Sequence, residues 1–289
     1  MRVLLLGGSG QLGRELRPRL ARRGVVLDPT RAELDLAEVD RLPQRLRDLA
    51  PELIVNAAAD TDVAGAESAV ERAETLNAVV PGLLGEVAAE LGSRVLHVST
   101  DYVFGGPRDR HWREDDPPSP LNVYGRTKLA GERALASFGA AHVVLRTSWL
   151  YSAEGPSFLQ TVLRLAEERD ELTMVSDQRG TPTSVGALAA IVEAVLDRAD
   201  ELFTREGLIL HASCAGDTTW HGFAEAIVEE TRARGRSLRV ERIRPITSAE
   251  LGGGVTRPEY SVLDLGRLRE RLGHEPPPWR EALRAVLER

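Results

Sequence analysis

Three glycines spaced three apart, Gly7, Gly10 and Gly13, follow directly on the apolar run Val3–Leu6 and open a stretch with Leu12, Leu16 and Leu20 at helical spacing. A strand, a glycine turn and an amphipathic helix in this order constrain the chain strongly. Gly7 permits the tight turn, Gly10 lets the backbone approach a pyrophosphate, and Gly13 allows close packing of helix on strand. An anion is then held by the unpaired N–H groups and the dipole at the helix N-terminus. The loop Gly7, Gly10, Gln11, Leu12 and Gly13 is therefore a candidate dinucleotide cradle; the plain alternative is a tight turn with no ligand.

The rest of the first half continues the alternation. Strands are expected at Val25–Leu27, Leu53–Val55 ending at Asn56, Arg94–Val98 and His142–Leu145, with helices at Leu42–Leu49, Glu67–Leu91 and Val123–Phe138. The pattern predicts an α/β chain with a Rossmann-like, doubly wound parallel sheet. The second half is less regular, with helices expected at Phe158–Arg169, Ser184–Arg198, Trp220–Arg234 and after Pro276–Pro278, and strands at Leu208–His211 and Leu238–Ile243. This predicts a smaller C-terminal α/β substrate domain. Residues 1–150, with part of 173–212 returning, form the dinucleotide-binding unit, and 151–172 with 213–289 the substrate-binding unit.

Asp28, at the end of the second strand, is placed to accept from adenosine ribose hydroxyls, whereas Arg31 is placed to hold a 2′-phosphate, and Asp35 and Leu36 to border the adenine. The two leave both NADPH and NADH open as cofactor.

The 289 residues carry a formal net charge of −7, which gives no electrostatic footprint for nucleic acid. Val3–Leu6 is too short for a signal sequence or a membrane span, so a cytoplasmic protein without a membrane partner is expected. The single cysteine, Cys214, excludes an internal disulfide and reads as a small buried apolar residue. The six histidines show no ligand spacing, so no metal site is expected, and His97, in an apolar strand, reads as a core histidine.

Of 37 basic residues, Lys128 alone is a lysine. It stands four residues after Tyr124 in a helical stretch, on the same face. An ammonium roughly 4 Å from a phenol contributes on the order of 4 kcal/mol at an effective dielectric of about 20, enough to lower the phenol toward use as an acid. Thr100, at the end of the fourth strand, is placed to bond a substrate carbonyl beside Tyr124. Thr100, Tyr124 and Lys128 are the candidate catalytic group, with Tyr124 and Lys128 also on the cofactor side; a surface pair plus a capping threonine is the simpler alternative. Thr219 before Trp220 reads as a helix cap, and Asp115-Asp116 as a solvated turn.

The segments Ser99-Thr100-Asp101-Tyr102-Val103-Phe104 and Pro120–Lys128 closely resemble the dTDP-4-dehydrorhamnose reductase family, as do Val55-Asn56-Ala57-Ala58-Ala59, Arg146–Tyr151, Gln178–Thr183 and Arg257–Ser261. The resemblance runs from the first strand to the final helix. It implies reduction of the C4 keto group of dTDP-4-dehydro-L-rhamnose by NADPH or NADH, with Thr100, Tyr124 and Lys128 catalytic. Ala57, Ala58 and Ala59 would line the adenine side of the cofactor. Asp101, Tyr102, Val103, Phe104 and Trp149 would contact the sugar, and Arg257 the nucleotide. Asp60 departs from the aromatic or histidine usual after the alanines. Some members form magnesium-bridged dimers through glutamates; Glu15 stands at one such place, but Gly186 and Arg289 stand at the later ones. A monomer or a metal-independent homodimer is the expectation. A dehydratase or epimerase of the same fold, or a non-catalytic nucleotide-binding subunit, are the competing functions.

Overall fold

The computed structural model describes residues 1–288, so the expectation placed on Arg289 lies outside the described residues. The first half winds as β1 (Arg2–Leu6), α1 (Gln11–Ala21), β2 (Val25–Leu27), α2 (Leu42–Leu49) and β3 (Leu53–Asn56). Helical segments α3 (Val63–Ser68), α4 (Val70–Glu74) and α5 (Val80–Leu91) follow, then β4 (Arg94–Thr100), α6 (Val123–Ala136) and β5 (Ala141–Thr147). The second half contains β6 (Leu150–Tyr151), α7 (Phe158–Glu168), β7 (Glu171–Val175), β8 (Arg179–Gly180), β9 (Thr183–Ser184), α8 (Val185–Asp197), α9 (Ala199–Leu202) and β10 (Leu208–His211). It ends with β11 (Thr218–Thr219), α10 (Trp220–Ala233), β12 (Arg242–Ile246), α11 (Ser248–Leu251), α12 (Gly266–Leu272) and α13 (Trp279–Leu287).

Six strands form one parallel sheet in the order β10-β5-β4-β3-β1-β2, the doubly wound arrangement expected. The chain moves from β1 outward to β2 and then returns to the other side of β1 with β3. Ligands of such sheets sit at the carboxyl ends of the strands at this switch point. Leu6 and Asn56 are in register there, so the glycine loop and the Ala57–Ala59 stretch leave the sheet side by side.

Alternate residues of the strands feed two cores. Val3, Leu5, Val55 and Leu145 pack with Leu12, Leu16 and Leu20 of α1 and with α8; Leu4, Leu6, Ile54 and Val144 pack with α2 and α5. Burying a leucine or valine contributes roughly 1.5–3 kcal/mol, so these two layers fix the strand register beneath the site. A third core joins α7, β7, α10 and α13 around Leu159, Phe223, Ile227 and Leu283. There β7 pairs in parallel with β12, apart from the large sheet.

Two elements differ from the periodicity reading. The expected continuous helix over Glu67–Leu91 is three helices joined by a π turn at Thr75–Val79. Ala69 leaves helical geometry (φ −124°, ψ 51°), and Pro81 has no N–H to give Asn77 four residues earlier. The chain widens by one residue per turn instead, and Asn77 turns inward. The strand expected at Leu238–Ile243 is found at Arg242–Ile246. Leu238 and Val240 do bury their side chains, but Val240 N donates to Ala166 O (2.9 Å) and Glu241 N to Asp170 O (2.7 Å), so those backbone donors close the end of α7 before pairing with β7 begins.

Candidate active site

The glycine loop has the shape that a dinucleotide requires. Gly7 has φ +82°, and a Cβ there would lie 2.8 Å from Ala57 C and Ala58 N. A Cβ on Gly13 would collide with Gly7 O and Gly8 Cα. Gly10, the residue before α1, carries no side-chain cap, which leaves the first N–H groups of the helix for an anion. These observations fit the pyrophosphate of a nicotinamide dinucleotide. Gln11 is held by Ser152 Oγ (2.9 Å, to Gln11 Oε1) and by its own bond to Pro156 O (2.8 Å). The Leu12 side chain belongs to the core, so only its backbone faces the loop.

Asp28 lies under Gly8 and is ion-paired to Arg17. Arg31 is 84% exposed and pairs with Asp35 at 3.3 Å, while Asp35 also accepts from Ala37 N (2.9 Å), which holds its carboxyl below the usual range. Leu36 packs on the core beside α2, as does Ala58; Ala57 packs on the opposite face. Ala57 N bonds Leu6 O (3.0 Å), and Ala59 follows, half-buried.

The catalytic candidates converge from β4 and α6. Helix α6 begins with Asn122, whose Oδ1 accepts from Gly125 N (2.8 Å), and Glu67 Oε1 accepts from Val123 N (2.7 Å). Neither Asn122 nor Glu67 was predicted to act on the site; the asparagine two residues before Tyr124 was the available signal. Gly125 lets α6 press on Tyr102, because a Cβ would collide with Tyr102 O. Tyr124 is thereby brought up against Thr100, whose Oγ1 accepts from Tyr102 N (3.2 Å) and donates to Asp101 Oδ1 (3.1 Å).

Lys128, 1% exposed, donates from Nζ to Val98 O at 2.7 Å and lies 3.4 Å from His97 Nε2. This corrects the expected electrostatics. Lys128 is spent on β4, and burial pushes the Tyr124 phenol well above its ordinary value, with Asp101, Tyr102 and Asp60 raising it further. Burial also brings the Lys128 ammonium down to about 8. His97 is a core histidine, as expected, and its Nδ1 meets Asn56 Nδ2 at 3.1 Å.

Asp101 is buried and accepts from Thr100, Ser148 (3.0 Å) and Ser261; burial nevertheless raises it to about 6. Ser148 and Ser261 went unassigned in the sequence, since serine alone carries no spacing signal. Tyr102 is pushed up to about 12, chiefly by burial, and hydrogen-bonds Arg257. Its ring meets Tyr124 edge-on at 5.7 Å. Val103 and Phe104 are fully buried with Trp112 and Leu263, so their side chains reach core rather than ligand. Trp149 has φ +43° and stacks on Trp220 at 3.6 Å; Gly180 is required there, since a Cβ would lie 2.5 Å from the indole.

Asp60 is buried, pairs with Arg72 (3.0 Å), and exchanges backbone bonds with Asn77, which also donates to Thr127 Oγ1 (3.2 Å). Thr219 caps α10 through Gly222 N (3.0 Å), and Cys214 is buried. The Asp115-Asp116 turn leaves Asp115 exposed, whereas Asp116 is clamped by Arg108 and Arg110 (2.6 Å each). Glu15 pairs with Arg19 (2.9 Å), and Gly186 lies in the first turn of α8. Among the described residues, no group of three or more His, Cys, Asp or Glu is arranged to hold a metal ion, and no helix is long and apolar enough to cross a membrane.

Residues 1–289 match the family model described as RmlD substrate binding domain. The dTDP-4-dehydrorhamnose reductase of Burkholderia thailandensis is 41% identical over 290 residues, covering 98% of this chain and 97% of that one. The Escherichia coli K12 protein of the same name is 37% identical over 291 residues, covering 99% and 97%. Among solved structures, dTDP-4-dehydrorhamnose reductase from Bacillus anthracis in complex with NADP superposes with a TM-score of 0.90 at 30% identity, covering 99% of this chain and 98% of that one.

Proposed function

The chain belongs to the dTDP-4-dehydrorhamnose reductase family, and from that premise we propose that it reduces the C4 keto group of dTDP-4-dehydro-L-rhamnose to dTDP-L-rhamnose, with Tyr124 as proton donor. Membership makes it an NAD(P)H-dependent oxidoreductase acting on a nucleotide sugar. The single observation that carries the finer reading is the placing of Tyr124 against Thr100, on the helix that carries buried Lys128.

The dinucleotide would lie on Gly7, Gly10 and Gly13 and the first turn of α1, with Asp28, Arg31, Asp35 and Leu36 at the adenosine end and Ala57–Ala59 along the edge of the sheet. When bound it supplies a hydride. The chain supplies the rest. Thr100 orients the carbonyl oxygen, and Tyr124 holds the proton that the forming alkoxide takes. A phenol raised by burial stays protonated across the neutral range, as a donor must. Lys128 offers N–H donors one helical turn behind. Asp101, Tyr102 and Trp149 surround the sugar and Arg257 meets the nucleotide, in our reading, with Val103 and Phe104 as the packed floor beneath. We divide the chain accordingly into 1–150 with part of 173–212 for the dinucleotide, and 151–172 with 213–289 for the substrate.

Tyr124→Phe tests the assignment. It removes the phenolic proton and leaves the ring packed against Tyr102. Turnover should fall by roughly 10²–10⁴-fold while the cofactor still binds, followed by fluorescence titration. Activity near wild type would remove Tyr124 from the role of acid.

A further inference from the structure

Three segments meet at one corner beside Tyr124: the end of β4, the start of α6 and the stretch from Gly252 to Arg257. The last of these stands away from the body of the protein, since a Cβ on Gly252, Gly253 or Gly254 would meet nothing within 4 Å. The chain is secured again beyond Pro258, where Arg179 N donates to Glu259 O (2.7 Å) and Ser261 N to Arg179 O (2.9 Å). Among the described residues, one hydrogen bond joins the backbone of 252–258 to another element: Asn122 Nδ2 donates to Thr256 O at 3.0 Å.

Asn122 is 2% exposed, and its carboxamide fits only one way round. Gly125 N–H is a donor and requires Oδ1 (2.8 Å), whereas Thr256 C=O is an acceptor and requires Nδ2. Aspartate and serine cap helices as well as asparagine does, but aspartate brings no donor, and serine places its one oxygen a single bond from Cβ, short of the second partner. Capping alone therefore does not account for this side chain. Arg257 follows Thr256 directly and comes up against Tyr102, and Tyr102 O in turn lies where a Cβ on Gly125 would be. We propose that Asn122 is a positioning residue for the substrate: its carboxamide joins the Arg257 segment to the start of α6, so that Arg257 and Tyr124 are held at a fixed separation. The use of this joint rests on the reductase reading above; the joint itself does not. A nucleotide sugar spans the distance from Arg257 to Tyr124 in that reading, so with the joint slack its binding has to order the stretch first, which weakens binding before it slows the chemical step.

Asn122→Ser keeps an N-cap and drops the bond to Thr256, while Asn122→Ala drops both. Thermolysin, which cuts before valine, reports on the stretch at the Gly254–Val255 bond with no ligand and no turnover. Under native conditions, cleavage there should be about fivefold faster or more in both variants than in wild type, with the fragments identified by mass. In initial rates with dTDP-4-dehydro-L-rhamnose, Asn122→Ser should raise KM for the nucleotide sugar about fivefold or more, leave kcat within about twofold, and leave KM for NADPH unchanged. A residue that only caps α6 gives a different pattern, with Asn122→Ser matching wild type in both measurements and Asn122→Ala alone impaired. Cleavage of Asn122→Ser at the wild-type rate overturns the proposal, and so does faster cleavage with an unchanged KM. If the serine variant fails to fold, Asn122→Asp, which keeps the cap and also lacks the donor, takes its place. A wild type that turns over no nucleotide sugar defeats the reductase reading, and the cleavage rates still decide the joint.

Discussion

The carboxylate of Asp101 accepts a hydrogen bond from the Ser148 hydroxyl at 3.0 Å across the ends of β4 and β5, entirely out of water. Ser148 precedes Trp149, whose backbone is held at φ +43°, so this bond ties the turn that carries the indole to the strand that carries Thr100. Neutral hydroxyls satisfy the oxygens but bring no positive charge, which is why burial prevails and the acid is raised from 3.8 to about 6.

That balance makes stability depend on pH with a definite sign. The folded pKa lies above the unfolded one, so between about pH 4 and 6 the native state binds more protons and stability falls as pH rises. The cost at neutral pH is on the order of 3 kcal/mol, from a difference of about two pKa units. Asp101→Asn should therefore gain stability relative to wild type as pH rises from 4 to 7, followed by urea denaturation at each pH. A pH-independent difference would show that Asp101 does not titrate in this window.

Lys128→Arg keeps a permanent charge but brings a larger, planar head into a space that holds the lysine at 1% exposure. Overpacking should cost about 1–3 kcal/mol of stability, and turnover should fall on the order of 10²-fold or more. Thermal melts and initial rates measure the two separately. Retained turnover in a folded variant would mean that a general cation suffices.

At the adenosine end, Asp28 is clamped to Arg17 under the glycine loop, while Arg31 pairs with Asp35 at the surface. We read Asp28 as favouring the free ribose and the Arg31 cation as favouring the 2′-phosphate. NADPH and NADH should both work within roughly tenfold, and Arg31→Ala should weaken NADPH by about 1.4 kcal/mol or less while sparing NADH. A preference of several orders of magnitude, measured as kcat/KM for each, would show that only one of the two residues reaches the cofactor.

The sheet was legible because β1, β3, β4 and β5 are apolar runs bounded by turn residues, and burial on both faces leaves such runs little else to become. The glycine loop was legible because Gly7 and Gly13 touch backbone, where no side chain fits. The π turn at Thr75–Val79 was not, since periodicity over Glu67–Leu91 is blind to one extra residue; Pro81 was its only mark. Tyr124 and Lys128 were found through their spacing, but the direction in which Lys128 points was set by Val98 O and His97 on another strand, which spacing cannot convey. Val103 and Phe104 share a motif with Asp101 and Tyr102, but their side chains face the core, which a motif cannot convey.

In the proposed reaction C4 is simply reduced, with Tyr124 as acid and no base acting on carbon. Tyr102, beside Asp101, has its phenol pushed up to about 12 by burial and by Asp101, so it stays protonated near neutrality and is a poor base. The direct measurement is turnover of dTDP-4-dehydro-L-rhamnose with deuteride-labelled NADPH, with a parallel reaction in deuterium oxide. Deuterium is expected at C4 only, with cofactor consumed one for one and no label at C3 or C5 beyond spontaneous exchange. Solvent label reaching C3 or C5 faster with the protein than without it would make the chain an epimerase or dehydratase instead of a simple reductase.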